Sequence, residues 1–179
     1  MQRCRWCNEK NLKYIKYHDE EWGVLNTSDK YLFEMFILEC FQAGLSWECI
    51  LNKREAFRAA YDNFDIDKII NYDEKKEEEL INNKNIIRNK LKIKASINNS
   101  KIFKKIINEY GSFYNYLKTF WDGTVIYEND KTTSNLSDKI SQDLQKRKMK
   151  FVGSVTIYSY LQTVGIINSH DDACDFRKK

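Results

Sequence analysis

The chain has 179 residues, 42% of them hydrophobic, which excludes a wholly disordered polypeptide and allows one domain, or at most two small lobes sharing an interface. A net charge of +4 is too mild to argue alone for a nucleic-acid partner, so the distribution of basic residues has to answer that question. Met1 to Lys10 is polar, no apolar run is long enough to span a bilayer, and the five cysteines are odd in number; a cytoplasmic protein with reduced thiols and no membrane contact is expected.

The spacing predicts helices almost throughout. Leu32, Phe33, Phe36, Ile37, Cys40 and Phe41 recur at helical intervals after Ser28, a residue suited to an N-cap, and Gly44 stands where this helix should stop. Ser46 restarts a helix through Ile50, Leu51 and Phe57. Asp73 heads a short charged helix, and beyond Asn82-Asn83-Lys84-Asn85 the apolar pattern resumes at Ile93, Ile97, Phe103 and Ile107. Tyr127 to Ser137 is polar and turn-rich and reads as an exposed loop. Gly153 to Thr163 reads as a buried helix with Gly165 as its C-cap. With no internal repeat, no strand alternation and no proline, the expected fold class is all-α.

Both histidines lie near cysteines at opposite ends of the chain: Cys4 and Cys7 precede His18, and Cys174 follows His170. Thiolates and imidazoles are the donors that tetrahedral zinc prefers. If His170 and Cys174 share a helical turn, their i, i+4 spacing puts both on one face. Cys4, Cys7, His18, His170 and Cys174 then offer five candidates for four positions, and spacing alone does not choose among them. A metal there would join ends that otherwise fray.

On the helix after Ser28, Glu34 can pair with Lys30 one turn earlier, which is ordinary surface chemistry. Glu39 has Met35, Phe36, Gln42 and Ala43 as its i±3 and i±4 neighbours and no such cation. Its charge must be met by water, by hydrogen bonds or by a ligand. Trp6, Tyr14, Tyr17, Trp22 and Trp47 flank this helix in sequence. An acid lining an aromatic box suits a flat, positively charged ligand.

Several blocks then stand in order: Arg3-Cys4-Arg5-Trp6, Tyr17-His18-Asp19-Glu20-Glu21-Trp22-Gly23-Val24, Gln42-Ala43-Gly44-Leu45-Ser46-Trp47, Ile86-Ile87-Arg88 and Lys150-Phe151-Val152-Gly153. From Arg3 to about Cys174 the chain resembles the 3-methyladenine DNA glycosylase I family, within the helix-hairpin-helix DNA glycosylases. The resemblance implies a compact single domain over 1–179 with two helical lobes, a helix-hairpin-helix over about 73–108, and one structural zinc tying the termini, 1–23 and 166–179, through Cys4, His18, His170 and Cys174. Cys7 is then the spare thiol. It places Glu39 in the base pocket as the catalytic-site acid, with Trp6, Tyr14, Tyr17, Trp22, Trp47 and Ser159 binding the base. Arg88, Lys90 and Lys92 would bind DNA.

Two positions depart from the family pattern. Asn85 replaces a hairpin glycine, and asparagine is the non-glycine residue that best tolerates a left-handed turn; Leu91 replaces a second glycine after the basic pair. With no proline in the chain, the Gly-Pro-Asp element of many relatives is absent. A monomeric, monofunctional glycosylase acting on double-stranded DNA with alkylated bases is expected. The alternatives are a zinc-stabilised damage-binding protein without catalysis, or a glycosylase for another alkylated purine.

Overall fold

The computed structural model describes residues 1–177. Its helices are α1 (Leu12–Glu20), α2 (Asp29–Gln42), α3 (Trp47–Ala60), α4 (Ile66–Ile69), α5 (Glu74–Asn82), α6 (Lys90–Tyr110), α7 (Phe113–Lys118), α8 (Asn135–Lys146) and α9 (Ser154–Thr163). The fold is thus mostly helical, as expected. None of these helices is long and apolar enough to cross a membrane.

Helix α2 is the axis of the molecule. Every residue from Leu32 to Phe41 is buried, because α2 packs against α9, α6, α3 and α7 at once; a helix apolar nearly all round has to lie inside. Each fully buried Leu, Ile or Phe on it contributes about 1.5–3 kcal/mol. Truncating one, such as Phe36→Ala, would cost about 3–5 kcal/mol through the cavity left behind. Ser28 stands at the N-cap but its hydroxyl makes no cap bond. Asp29 instead reaches across to accept from Phe113 N at 2.8 Å, tying α2 to α7.

The end of α2 is held by a residue from far along the chain. Ala43 leaves helical geometry and Gly44 is left-handed at φ 81°. The carbonyls of Phe41 and Ala43 both accept from Lys92 Nζ, the former at 2.8 Å. A cation on the last carbonyls completes a helix C-terminus both by hydrogen bonding and by opposing its dipole. Ser46 then caps α3, its Oγ accepting from Cys49 N at 3.2 Å.

The segment between α5 and α6 is a tight turn. Asp73 caps α5 and Asn89 caps α6, each through its side-chain oxygen. Asn83 Oδ1 accepts from Asn85 N at 3.0 Å, an Asx turn that bends the chain locally. Asn85 itself is not left-handed, so the asparagine carries no backbone strain there, contrary to expectation. The bend is made by the side chain of Asn83.

Two expectations from the sequence need correction. Tyr127–Ser137 is not all loop: β1 (Ile126–Tyr127) pairs in parallel with β2 (Ile167–Asn168), and α8 begins at Asn135 behind a Ser134–Ser137 capping box. Two-residue strands are too short for alternation to register. His170 and Cys174 do not share an α-helical turn either; they lie in successive tight turns in which Cys174 N donates to Asp171 O at 2.8 Å. Gly165, by contrast, ends α9 as anticipated. It is left-handed, and a Cβ there would meet the Val24 backbone at 2.1 Å, so no other residue fits.

Candidate active site

Four donors from the two chain ends converge. One ligand atom from each of Cys4, His18, His170 and Cys174 lies within 4.8 Å of all the others, and all four residues are buried. Each histidine is oriented through Nδ1, His18 by Asp19 Oδ1 at 2.7 Å and His170 by Asn168 Oδ1 at 2.9 Å. Both Nε2 atoms face the cluster: that of His18 accepts from Cys4 N at 3.3 Å and lies 3.6 Å from Cys174 Sγ, and that of His170 has no partner among the described residues. A carboxylate or amide fixing the far nitrogen is the arrangement found behind metal-bound imidazoles. Burial also pushes His170 down to about 4, keeping its lone pair available. The donor set could hold a metal ion. Cys7 is buried but outside the cluster.

Around the cluster the termini are stitched by polar contacts. Arg3 clasps Asp19 with two parallel bonds of 2.8 and 2.7 Å, and Gln2 and Asp175 exchange bonds of 2.8 and 2.9 Å. Arg5 N donates to Asp171 Oδ2 at 2.9 Å. The aromatic residues between these contacts are consequently held in place. Trp6 packs on His18 at 5.2 Å and on Trp22 at 4.6 Å, while Trp22 packs edge-on against His170 at 4.5 Å.

Those tryptophans form one wall of a cleft of about 590 Å³. Every cleft residue anticipated from the sequence lines it: Trp6, Tyr14, Tyr17, Trp22, Glu39, Trp47 and Ser159. Gln162, Thr163, Asn129 and Arg5 join them and were not anticipated. Thr163 was legible in principle, being four residues after Ser159 and hence on the same face of α9. Asn129 stands in a loop with no periodicity to mark it.

Glu39 is 1% exposed. Tyr17 Oη donates to Thr163 Oγ1 at 3.0 Å, and Thr163 Oγ1, its lone pair thus engaged, donates to Glu39 Oε1 at 2.6 Å. Among the described residues, Glu39 Oε2 has no partner, and neither has the buried Trp47 Nε1. Burial pushes the Glu39 carboxyl up to about 7, against the hydroxyls of Thr163 and Ser159, which favour the anion. Tyr17 and Trp47 lie 5.3 Å apart beside it. A cation laid against these rings in the cleft would supply the charge and the hydrogen bond that Glu39 lacks.

Glu34 differs from expectation. It is buried and binds Arg54 Nε at 2.7 Å and Arg58 Nη2 at 2.8 Å, not Lys30. Arg54 also grips Glu21 at 2.8 Å. Of the three basic residues expected to touch DNA, Arg88 and Lys90 are exposed beside the 83–89 turn. Lys92 is 8% exposed with its ammonium on the α2 carbonyls, so it stands with the core and away from the surface.

The methyladenine glycosylase family profile matches residues 6–178. The chain belongs to the methyladenine glycosylase family. It is 40% identical to DNA-3-methyladenine glycosylase 1 of Escherichia coli K12, over 97% of this chain and 96% of that one. It is 33% identical to the DNA-3-methyladenine glycosylase of Haemophilus influenzae Rd, over 96% of each. The structure of 3-methyladenine DNA glycosylase I from Staphylococcus aureus, solved for its recognition of 3-methyladenine, superposes with a TM-score of 0.93 at 30% identity, covering 100% of this chain and 98% of that one. As a methyladenine glycosylase, the chain has in its aromatic cleft a chamber of the right chemistry for a methylated purine.

Proposed function

We infer that this protein is a monofunctional glycosylase of DNA base-excision repair, hydrolysing the N-glycosidic bond of 3-methyladenine in alkylated double-stranded DNA to leave an abasic site. The observation that supports it most is Glu39, a buried carboxylate with one oxygen unpartnered inside an aromatic cleft. A base stacked in a duplex cannot reach such a cleft, so the nucleotide is flipped out of the stack. The purine then lies against the Tyr17 and Trp47 rings, with Trp6, Tyr14, Trp22 and Ser159 closing the chamber around it.

Methylation at N3 makes the purine cationic. The bond from C1′ to the purine nitrogen breaks with its electron pair going to the base, which departs neutral; a water oxygen bonds to C1′ and its proton passes to solvent. Little acid catalysis is needed. Glu39 selects and orients the cation more than it drives cleavage, since an anion beside a charge that vanishes in the transition state does not itself lower the barrier. Among the described residues, none of those lining the cleft is a lysine, in keeping with hydrolysis by water without a covalent adduct.

The Cys4, His18, His170 and Cys174 donors fit one structural zinc: two thiolates, two imidazoles, buried, with Nε2 atoms set by Asp19 and Asn168. When bound, the metal supplies a cross-link between the ends and no step of the reaction. We further read 1–179 as one glycosylase domain of two helical lobes, a cytoplasmic monomer in which α5, the 83–89 turn and α6 form a helix-hairpin-helix. Arg88 and Lys90 bind phosphate there, and Lys92 braces α2 beneath them.

Incubation with methylated duplex DNA and chromatographic identification of the released base tests this reading. Free 3-methyladenine is expected. Binding without release would favour a damage marker, and release of another purine alone would favour a different lesion. For the metal, Cys4→Ser should lower zinc content and melting temperature together while Cys7→Ser changes neither; equal loss in both would refute the ligand set.

A further inference from the structure

Beside the 83–89 turn lies a second basic surface. Lys148 and Phe151 both hold left-handed backbone, φ 73° and 56°. That conformation costs a non-glycine residue about 1–2 kcal/mol and persists only where the surroundings impose it. Asn99, fully buried on α6, does so: its Oδ1 accepts from Lys150 N at 2.9 Å and its Nδ2 donates to Lys150 O at 2.8 Å. Asn98 Nδ2 donates to Lys148 O at 3.0 Å, and Ser141 Oγ to Val152 O at 2.7 Å. The loop is pinned at four points, with Lys148 and Lys150 exposed and the Phe151 ring 5.8 Å from the Lys92 ammonium.

Between this loop and α6 runs a groove of about 600 Å³. Leu91, Ala95 and Phe151 give it an apolar floor; Lys94, Lys148 and Lys150 give it a basic rim, and none of the described residues lining it is acidic. Leu91 is 70% exposed, unusual for a leucine at the start of a helix whose other apolar side chains are largely buried. The neighbouring Arg147 is neutralised by Glu109 and Asp143 and Lys94 leans on Glu77 at 3.4 Å, whereas Lys148 and Lys150 form no ion pair among the described residues.

We propose that this groove seats the sugar–phosphate backbone of the DNA strand flanking the lesion, with phosphates on Lys148 and Lys150 and deoxyribose against Leu91 and Phe151. The charge pattern selects that occupant. A polyanion whose charges alternate with apolar sugars matches lysines over a hydrocarbon floor, and phosphate contacts position a protein on DNA without reading its sequence. The groove is also continuous with the hairpin, since Leu91 directly follows Lys90. The inference rests on the reading of that hairpin as a DNA contact. It gives the leucine at position 91 a use: it furnishes contact area where a glycine would furnish none.

The test compares duplex binding by the full chain, Lys148→Gln/Lys150→Gln and Arg88→Gln/Lys90→Gln over a range of salt concentrations. Each lost phosphate contact should reduce the slope of log affinity against log salt by about 0.9, so the Lys148/Lys150 pair should flatten it by about 2, uniformly across sequences. Binding of free 3-methyladenine should be unaltered, showing an intact cleft. An unchanged slope in the Lys148/Lys150 variant alongside a flattened one in the Arg88/Lys90 variant would overturn the groove and leave the hairpin standing. Unchanged slopes in both would overturn the two DNA contacts together, while base release judges the enzymatic reading separately.

Discussion

Glu34 and Glu39 stand little more than a turn apart on α2, and both are buried, at 6% and 1% exposure. Glu34 meets two arginines, Arg54 and Arg58, at 2.7 and 2.8 Å. Among the described residues, Glu39 meets the Thr163 hydroxyl on one oxygen and nothing on the other. The first acid is satisfied by the protein and ties α2 to α3; the second keeps one oxygen without a partner among the described residues. The difference separates an acid that holds the fold from the one we propose to meet the base, and neither burial nor position on the helix distinguishes them. Their partners do.

Breaking the satisfied site should cost most. Arg54→Ala strands Glu34 with Arg58 alone and releases Glu21 as well, and removal of one partner from a buried ion pair typically costs about 3–5 kcal/mol. Denaturant unfolding would measure it. A loss below about 1 kcal/mol would mean that Arg58 and water replace Arg54, and that the two acids differ less than their contacts indicate.

Neutralising the unsatisfied acid should do the opposite. Burial raises Glu39 from 4.5 to about 7, so the folded state holds its proton more tightly than the unfolded chain. Its contribution to stability is complete below about 4.5 and is lost as pH rises through about 7, a change on the order of 3 kcal/mol. Glu39→Gln has no proton to lose there. The variant should therefore be more stable than wild type at pH 8 and nearly equal to it at pH 4. A variant less stable at both would place Glu39 among structural acids like Glu34.

A smaller effect sharpens the same contrast. Thr163→Val removes the hydroxyl that favours the Glu39 anion, so the carboxyl should rise further and the acid limb of base binding should move up by about one pH unit. An unmoved limb would show that Thr163 merely packs.

How much of this was legible in the sequence differs from one helix to the next. On α2 the apolar spacing and the missing cation near Glu39 were both visible, because each depends on residues within one turn. Glu34 misled for the same reason: Lys30 is local, whereas Arg54 and Arg58 come from α3. Lys92 read as one of a basic cluster, although it shares a helical face with Ser96, Asn99 and Phe103, all buried. Spacing alone left five candidate metal ligands, the family resemblance set Cys7 aside, and the fold of the two ends gathers the other four. The pinned loop at 148–152 could not be foreseen, since its hydrogen bonds come from Asn98 and Asn99 on α6 and from Ser141 on α8.

The central claim is that Glu39 recognises charge, and titration of free 3-methyladenine and adenine against wild type and Glu39→Gln tests it most directly. Both bases can lie against the same rings, but the methylated purine accepts positive charge beside a carboxylate more readily. Glutamine keeps the shape and part of the hydrogen bonding, so affinity for 3-methyladenine should fall more than affinity for adenine, with zinc content and folding intact. Equal losses for the two bases would contradict charge recognition by Glu39.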